Sequence, residues 1–307
     1  MRARRKPHAE LVRRLLAAQF PGWADLRIEP VEVDGWDHTT FRLGDRMSVR
    51  LPSGPRYAAQ VDKEHAWLPR LAPLLPLPIP VPLAKGAPTS KFPLPWSVYQ
   101  WIDGAIAQIA RIDDLAGFAA ACAAFLVALQ RLDAVDGPPP GAHSYFRGCP
   151  LTLEDPQRPY NTPGNWGTRE AIAVLGDRID TRAATDVWDA ALAQPWSGPP
   201  VWVHGDIAPS NLLVHDGRLS GVIDFGCSAV GDPACDLVIA WTVFSRESRE
   251  VFRASLSLDD ATWARGRGWA LWKAVYVLAR TIDTAPEAAA DARRVLDEVL
   301  ADHASTG

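Results

Sequence analysis

The chain has 307 residues, enough for one large domain or two ordinary ones, and its 48% apolar and 22% charged residues are ordinary for a packed core. A net charge of −4 and a pI near 6.0 argue against a dedicated nucleic-acid binder, which usually carries a basic face. No run approaches the roughly 18 consecutive apolar residues of a membrane span, and the four cysteines (Cys122, Cys149, Cys227, Cys235) lack CxxC spacing. A soluble, cytoplasmic protein with reduced thiols is expected.

The basic N-terminus lacks the apolar core of a secretory signal, because Arg13 and Arg14 interrupt it. Its apolar residues Leu11, Val12, Leu15, Leu16 and Phe20 fall at helical spacing and predict a surface helix. Three short strands follow, "IEPVEV", "TTFRLG" and "RMSVRLP", broken at "DGWD", at Gly44-Asp45 and at "PSGP". "YAAQVDKEHAWLPRLAPLL" has helical periodicity until its prolines stop it. "PLPIPVPLAKGAP" is too proline-rich for a helix or a central strand and reads as an extended connector. "WSVYQWI" is the next strand.

Beyond Asp103 the character turns helical. "DDLAGFAAACAAFLVALQRLD" predicts a long buried helix with Asp113 and Asp114 at its start, where carboxylates suit the dipole. A loop rich in Pro, Asn and Gly leads to two more helices, then a strand–loop–strand region, then a helical tail from Asp232 to about residue 301. The partition is residues 1–102, a strand-rich small lobe, and residues 103–307, a larger helical lobe.

The chemistry concentrates in "VWVHGDIAPSNLLV" and, just after it, "GVIDFG". His204-Gly205-Asp206, four further residues and Asn211 have the H-x-D-x4-N spacing of a kinase catalytic loop. Asp224-Phe225-Gly226 follows, with Asp224 thirteen positions after Asn211. Phosphoryl transfer needs an acceptor hydroxyl aligned with the γ-phosphate, and a carboxylate such as Asp206 can take its proton. It also needs a divalent cation, and Mg²⁺ prefers hard oxygens of the kind Asn211 and Asp224 offer. "NLLV" and "LSGVI" predict a hairpin holding those two ligands apart. Asp, Asn and Gly are also ordinary turn residues. Two ordered motifs at compatible spacing, each beside a strand, are poorly explained by turn chemistry alone.

With "VGDPACDLVIAW", and with "GWDHTTFRLG", "SVRLP", the Glu64 helix and "WSVYQWIDG" in the same order, the sequence resembles the aminoglycoside phosphotransferase-like family of small-molecule kinases. The resemblance spans most of the chain and is weakest between residues 135 and 195. It implies an α+β, protein-kinase-like two-lobed fold: a small antiparallel-sheet N-lobe with one main helix and a larger, mainly helical C-lobe. It also implies an ATP-dependent O-phosphotransferase using Mg²⁺ and ATP, with GTP left open. Asp206 would then be the catalytic base and Asn211 and Asp224 the metal ligands. Gln100 and Ile102 at the hinge would read adenine through their backbone. His204 would brace the loop, and Asp232 and Asp236 could cap the following helix or order the active-site loop, capping being the plainer explanation for Asp232.

Two departures stand out. Arg50 occupies the place of the usual phosphate-binding lysine and would pair with Glu64; Lys63, one of only five lysines, is a weak rival. The loop Asp34 to Thr40 has one glycine, so phosphate contacts there would come from backbone N–H groups and the Thr39 or Thr40 hydroxyls. The acceptor is less legible. Glu154, Asp155 and Asp283 would suit a polycationic aminoglycoside, the leading acceptor by resemblance. Trp166, Trp241, Trp269 and Trp272 would wall a groove for a macrolide, and a small amino alcohol or sugar is a further alternative. "RGRGWALWKAVYVLAR" reads as a helix on the large lobe with its arginines exposed. The partner expected is thus a small molecule, with no nucleic acid and no membrane, and the oligomeric state is left open. Two other classes stand beside this one. A protein kinase is disfavoured by the missing A-P-E segment. A catalytically silent nucleotide-binding relative would have no need of Asp206, Asn211 and Asp224 together.

Overall fold

The computed structural model describes residues 7–31, 35, 37–107, 112–151 and 167–305. It divides into two compact units: Met1–Ala105 with Ser220–Gly226, and Ile106–Leu219 with Cys227–Gly307.

The first unit is built on a five-stranded antiparallel sheet: β1 (Ile28–Pro30), β2 (His38–Leu43), β3 (Met47–Pro52), β4 (Pro82–Gly86) and β5 (Trp96–Gln100), ordered β1-β2-β3-β5-β4. Side chains alternate between faces along a strand, and β3 uses both. Val49 and Leu51 join Trp96 and Val98 of β5 and Val12, Leu15 and Leu16 of α1 (Ala9–Gln19) in one buried cluster. The periodicity of the N-terminal segment therefore covers one sheet face. Arg50, opposite Ser97 in register, belongs to the other face, where helix α2 (Ala58–Leu71) supplies Glu64 and His65. The segment read as an extended connector contains β4. Four of its five prolines lie outside the strand, and Pro82, the first residue of β4, is tolerated because β4 is an edge strand with no ladder to complete on its outer side.

The second unit holds helices α3 (Leu115–Gln130), α4 (Thr168–Leu175), α5 (Thr181–Leu192), α6 (Ile239–Thr242), α7 (Arg246–Ser255), α8 (Asp260–Thr281) and α9 (Pro286–Ala304). Asp114, Asp180, Ser245 and Asp259 cap α3, α5, α7 and α8 by accepting from backbone N–H groups in the first turn. Its short strands are β7 (Val201–Val203), paired antiparallel with β10 (Ala229–Gly231), and β6 (Ala105–Ile106) beside β8 (Leu212–His215). β9 (Arg218–Val222) follows β8 and leads the chain into Ser220–Gly226.

The arginines at the start of α8 are not exposed. Arg265 and Arg267 are both buried; Arg265 donates to Asp232, Nε to Oδ2 at 2.8 Å, and Arg267 lies 3.6 Å from Asp302. The amphipathic reading fails because their carboxylate partners stand more than thirty positions away in sequence. Among the described residues no helix is long and apolar enough to cross a membrane.

Candidate active site

In the second unit, β7 ends at Val203 and delivers His204, Gly205 and Asp206 into a turn. His204 is fully buried, and its Nδ1 accepts from the Asp206 backbone N–H at 3.2 Å, the bracing role expected of it. Asp236, itself fully buried, accepts from the N–H of His204 at 2.8 Å and of Gly205 at 2.7 Å. Burial pushes the Asp236 carboxyl up to about 7, against the pull of those two hydrogen bonds. Gly205 has φ +82°, and a Cβ there would stand 2.5 Å from the Cys227 carbonyl oxygen, so the turn needs glycine on both counts. Asp232 accepts from Ala234 N–H at 3.0 Å and starts the following helical segment, as the sequence suggests.

Asn211, buried just before β8, turns both its amide N–H groups to Asp206: one to the backbone carbonyl at 2.8 Å and one to carboxylate Oδ2 at 3.0 Å. With the nitrogen so committed, its Oδ1 is the atom left to act as a hard oxygen donor. The other expected ligand, Asp224, belongs to the first unit and has φ +65°, a left-handed conformation that aspartate tolerates better than most residues. An amide oxygen and a carboxylate are the donor types Mg²⁺ takes, usually with water and phosphate completing its shell, so these residues fit that cation.

Around Asp224 the first unit assembles a charged cluster. Arg50 Nη2 donates to Asp224 Oδ1 at 2.9 Å, and Nη1 lies 3.6 Å from Glu64 Oε1. His38 Nδ1 lies 3.4 Å from Nη2. Burial works against the Arg50 charge, but the Asp224 and Glu64 carboxylates outweigh it and hold the guanidinium protonated. Burial raises the Glu64 carboxyl, which also accepts from the Tyr99 hydroxyl. Burial, with Arg50 close by, lowers His38 to about 3 and keeps it neutral.

Other expected residues fall less centrally. Thr39 and Thr40 are within β2, opposite Leu51 and Arg50, rather than in a loop; residues 32–34 and 36 of the neighbouring stretch lie outside the described residues. Gln100 ends β5, exposed, with its N–H given to the Val81 carbonyl, and Ile102 follows the strand half-buried. Glu154, Asp155 and Trp166 lie outside the described residues. Asp283 pairs with Arg178 at 3.0 Å on the surface, and Trp241 is a fully buried core residue whose ring lies 5.0 Å from that of Trp263 at a tilt of 51°.

Sequence reasoning missed two contacts. Lys63 Nζ donates to the Gly226 carbonyl at 2.7 Å, so this lysine serves the Asp224 segment. Arg147 stands with its Cβ 3.0 Å from where a Cβ of Gly205 would be, and its guanidinium lies about 5 Å from the rings of Trp269 (5.3 Å) and Trp272 (5.0 Å). Its signal is backbone strain: Tyr145 and Phe146, just before it, both have positive φ (51° and 59°).

The pattern of the phosphotransferase enzyme family matches residues 27–269. The chain belongs to that family. Members of that family are phosphotransferases acting on hydroxyl groups, and this chain has the kinase-like α+β fold of the aminoglycoside phosphotransferases. Among curated proteins, it is 35% identical over 80 residues to an aminoglycoside 3'-phosphotransferase of Escherichia coli, covering 24% of this chain and 30% of that protein. It is 36% identical over 76 residues to the uncharacterized protein YcbJ of Bacillus subtilis (strain 168), covering 24% and 23%. The matched stretch thus spans less than a third of either relative. Among solved structures, the GDP complex of aminoglycoside 2'-phosphotransferase-IIIa superposes with TM-score 0.68 at 17% identity over 97% of this chain and 100% of that one. Macrolide 2'-phosphotransferase MphH from Brachybacterium faecium superposes with TM-score 0.59 at 20% identity, over 94% and 97%. Likeness at this identity establishes the fold.

Proposed function

We propose that this phosphotransferase is a cytoplasmic small-molecule O-kinase, passing the γ-phosphate of Mg·ATP to a hydroxyl of an antibiotic-like acceptor, an aminoglycoside first. The observation that carries the reading is the double hydrogen bond from Asn211 to Asp206, which makes one rigid group of a general base and an oxygen donor. Asp206 accepts the proton of the attacking hydroxyl. Arg50 neutralises phosphate charge from its seat between Glu64 and Asp224, and the loop backbone is fixed by Asp236. Asn211 and Asp224 would hold Mg²⁺, which would supply charge neutralisation to the phosphates when bound. The bound GDP of one structural neighbour and ADP of another support nucleotide use and leave ATP against GTP to measurement.

A second reading of the acceptor is favoured by Arg147. Arg147, whose Cβ stands beside Gly205 and whose guanidinium lies over the buried Trp269 and Trp272, sets a cation near this turn, which suits a neutral or singly charged acceptor such as a macrolide better than a polycation. Mg²⁺-dependent ADP release across aminoglycosides, macrolides and small amino alcohols tests both. Turnover with one class, reduced roughly 10²–10⁴-fold in Asp206→Ala, is expected. Near-normal turnover of that variant on a confirmed acceptor would remove Asp206 from the role of base.

A further inference from the structure

We infer that Lys63 is a positioning residue for the metal-binding segment, an inference that rests on reading Asp224 as a Mg²⁺ ligand. Helix α2 faces this segment with residues at i, i+3 and i+4, which share one side of a helix. Glu64 acts on Asp224 through Arg50. Gln60 packs so closely that its side-chain amide would stand 3.0 Å from a Cβ at Gly226. Lys63 donates directly to the Gly226 carbonyl at 2.7 Å, a distance typical of a strong charge-assisted bond.

The segment has reason to be held. Asp224 carries positive φ, and Arg50 draws its Oδ1 from one side. Phe225, fully buried, holds the middle of the segment, but a buried apolar ring does not orient the peptide carbonyl beyond it. Lys63 fixes the far end of the same three residues, so a sheet residue, Arg50, holds the carboxylate while a helix residue holds the backbone that follows it. The lysine touches neither Asp224 nor any phosphate-facing group by this bond; its action is on the backbone that aims the carboxylate. Its effect should therefore fall on metal affinity within the nucleotide complex and spare nucleotide affinity measured without metal.

The test uses the full-length chain with Mn²⁺ and ADP as probes. Mn²⁺ binding in the presence of ADP is followed by electron paramagnetic resonance, and ADP binding without metal by calorimetry. In Lys63→Met, Mn²⁺ affinity in the ADP complex should fall about tenfold, the size of one charged hydrogen bond, while metal-free ADP affinity stays near that of the wild type. Lys63→Arg, which can still donate, should restore most of the loss. If Lys63→Met fails to fold, judged by its thermal melt, Lys63→Gln is read by the same criteria. Unchanged Mn²⁺ affinity in the neutral variant overturns the inference, as does an equal loss of metal-free ADP binding. Asp224→Asn separates the two levels of the reading. A wild type whose Mn²⁺ binding depends on Asp224 but not on Lys63 sinks this inference alone. A wild type that binds no Mn²⁺ with ADP sinks the kinase reading as well.

Discussion

Arg50 sits where the family's lysine is expected, and its surroundings explain why a fork serves there. Glu64 addresses one terminal nitrogen, and Asp224 and His38 address the other. A lysine ammonium is a single nitrogen on a flexible stem and would have to choose among them. Arg50→Lys should keep the charge yet weaken nucleotide binding about tenfold, seen as a rise in nucleotide KM; an unchanged KM would show the fork to be dispensable. The Arg50–Glu64 pair was legible from sequence, since both residues stand on elements of clear periodicity. Asp206 and Asn211 were legible for a different reason: five residues of fixed spacing bring them together without help from the rest of the fold. Lys63 was not, because its carbonyl partner lies 163 positions away and a backbone oxygen leaves no mark on a sequence.

Helix α8 illustrates how an element can mislead. Its arginines looked like a solvated face, yet Arg265 forms a buried pair with Asp232, the residue that caps the helical segment Pro233–Val238. Burial pushes the Asp232 carboxyl upward while Arg265 draws it back, so the pair holds only with both partners present. Arg265→Met should cost about 3–5 kcal/mol by stranding the carboxylate, read as a lowered Tm. Adding Asp232→Asn should recover part of it, and a single variant as stable as the wild type would refute the coupling. Elements with local signals fared better: α1, α2, α3, the β2–β3 pair and the β8–β9 strands all lie where periodicity and turn residues put them. β4 was hidden because the five prolines between positions 76 and 88 read as a connector, yet only Pro82 falls within the strand, where the edge position makes it harmless.

For the molecule as a whole, two buried groups set opposite pH slopes. His38 is held neutral to about 3, against about 6.5 in an unfolded chain, so its contribution is complete above 6.5 and is lost as pH falls toward 3. Asp236, raised to about 7, contributes fully below about 4 and loses that contribution as pH rises through 7. Thermal melts from pH 4 to 8 should show a shallower acid limb in His38→Asn and a flatter neutral limb in Asp236→Asn. Parallel curves for variant and wild type would contradict the assignment of either group. The helical and strand-rich halves could be read from composition, but the return of Ser220–Gly226 to the first unit could not, since it depends on Val222 reaching the Pro78 carbonyl and on Lys63 reaching Gly226. That return has a consequence for anyone recombining such enzymes. A fragment cut after residue 105 would leave Arg50 and Lys63 without the segment they hold. An exchange of the first unit between relatives must therefore transplant two stretches of chain, the second only seven residues long and embedded in the sequence of the other half.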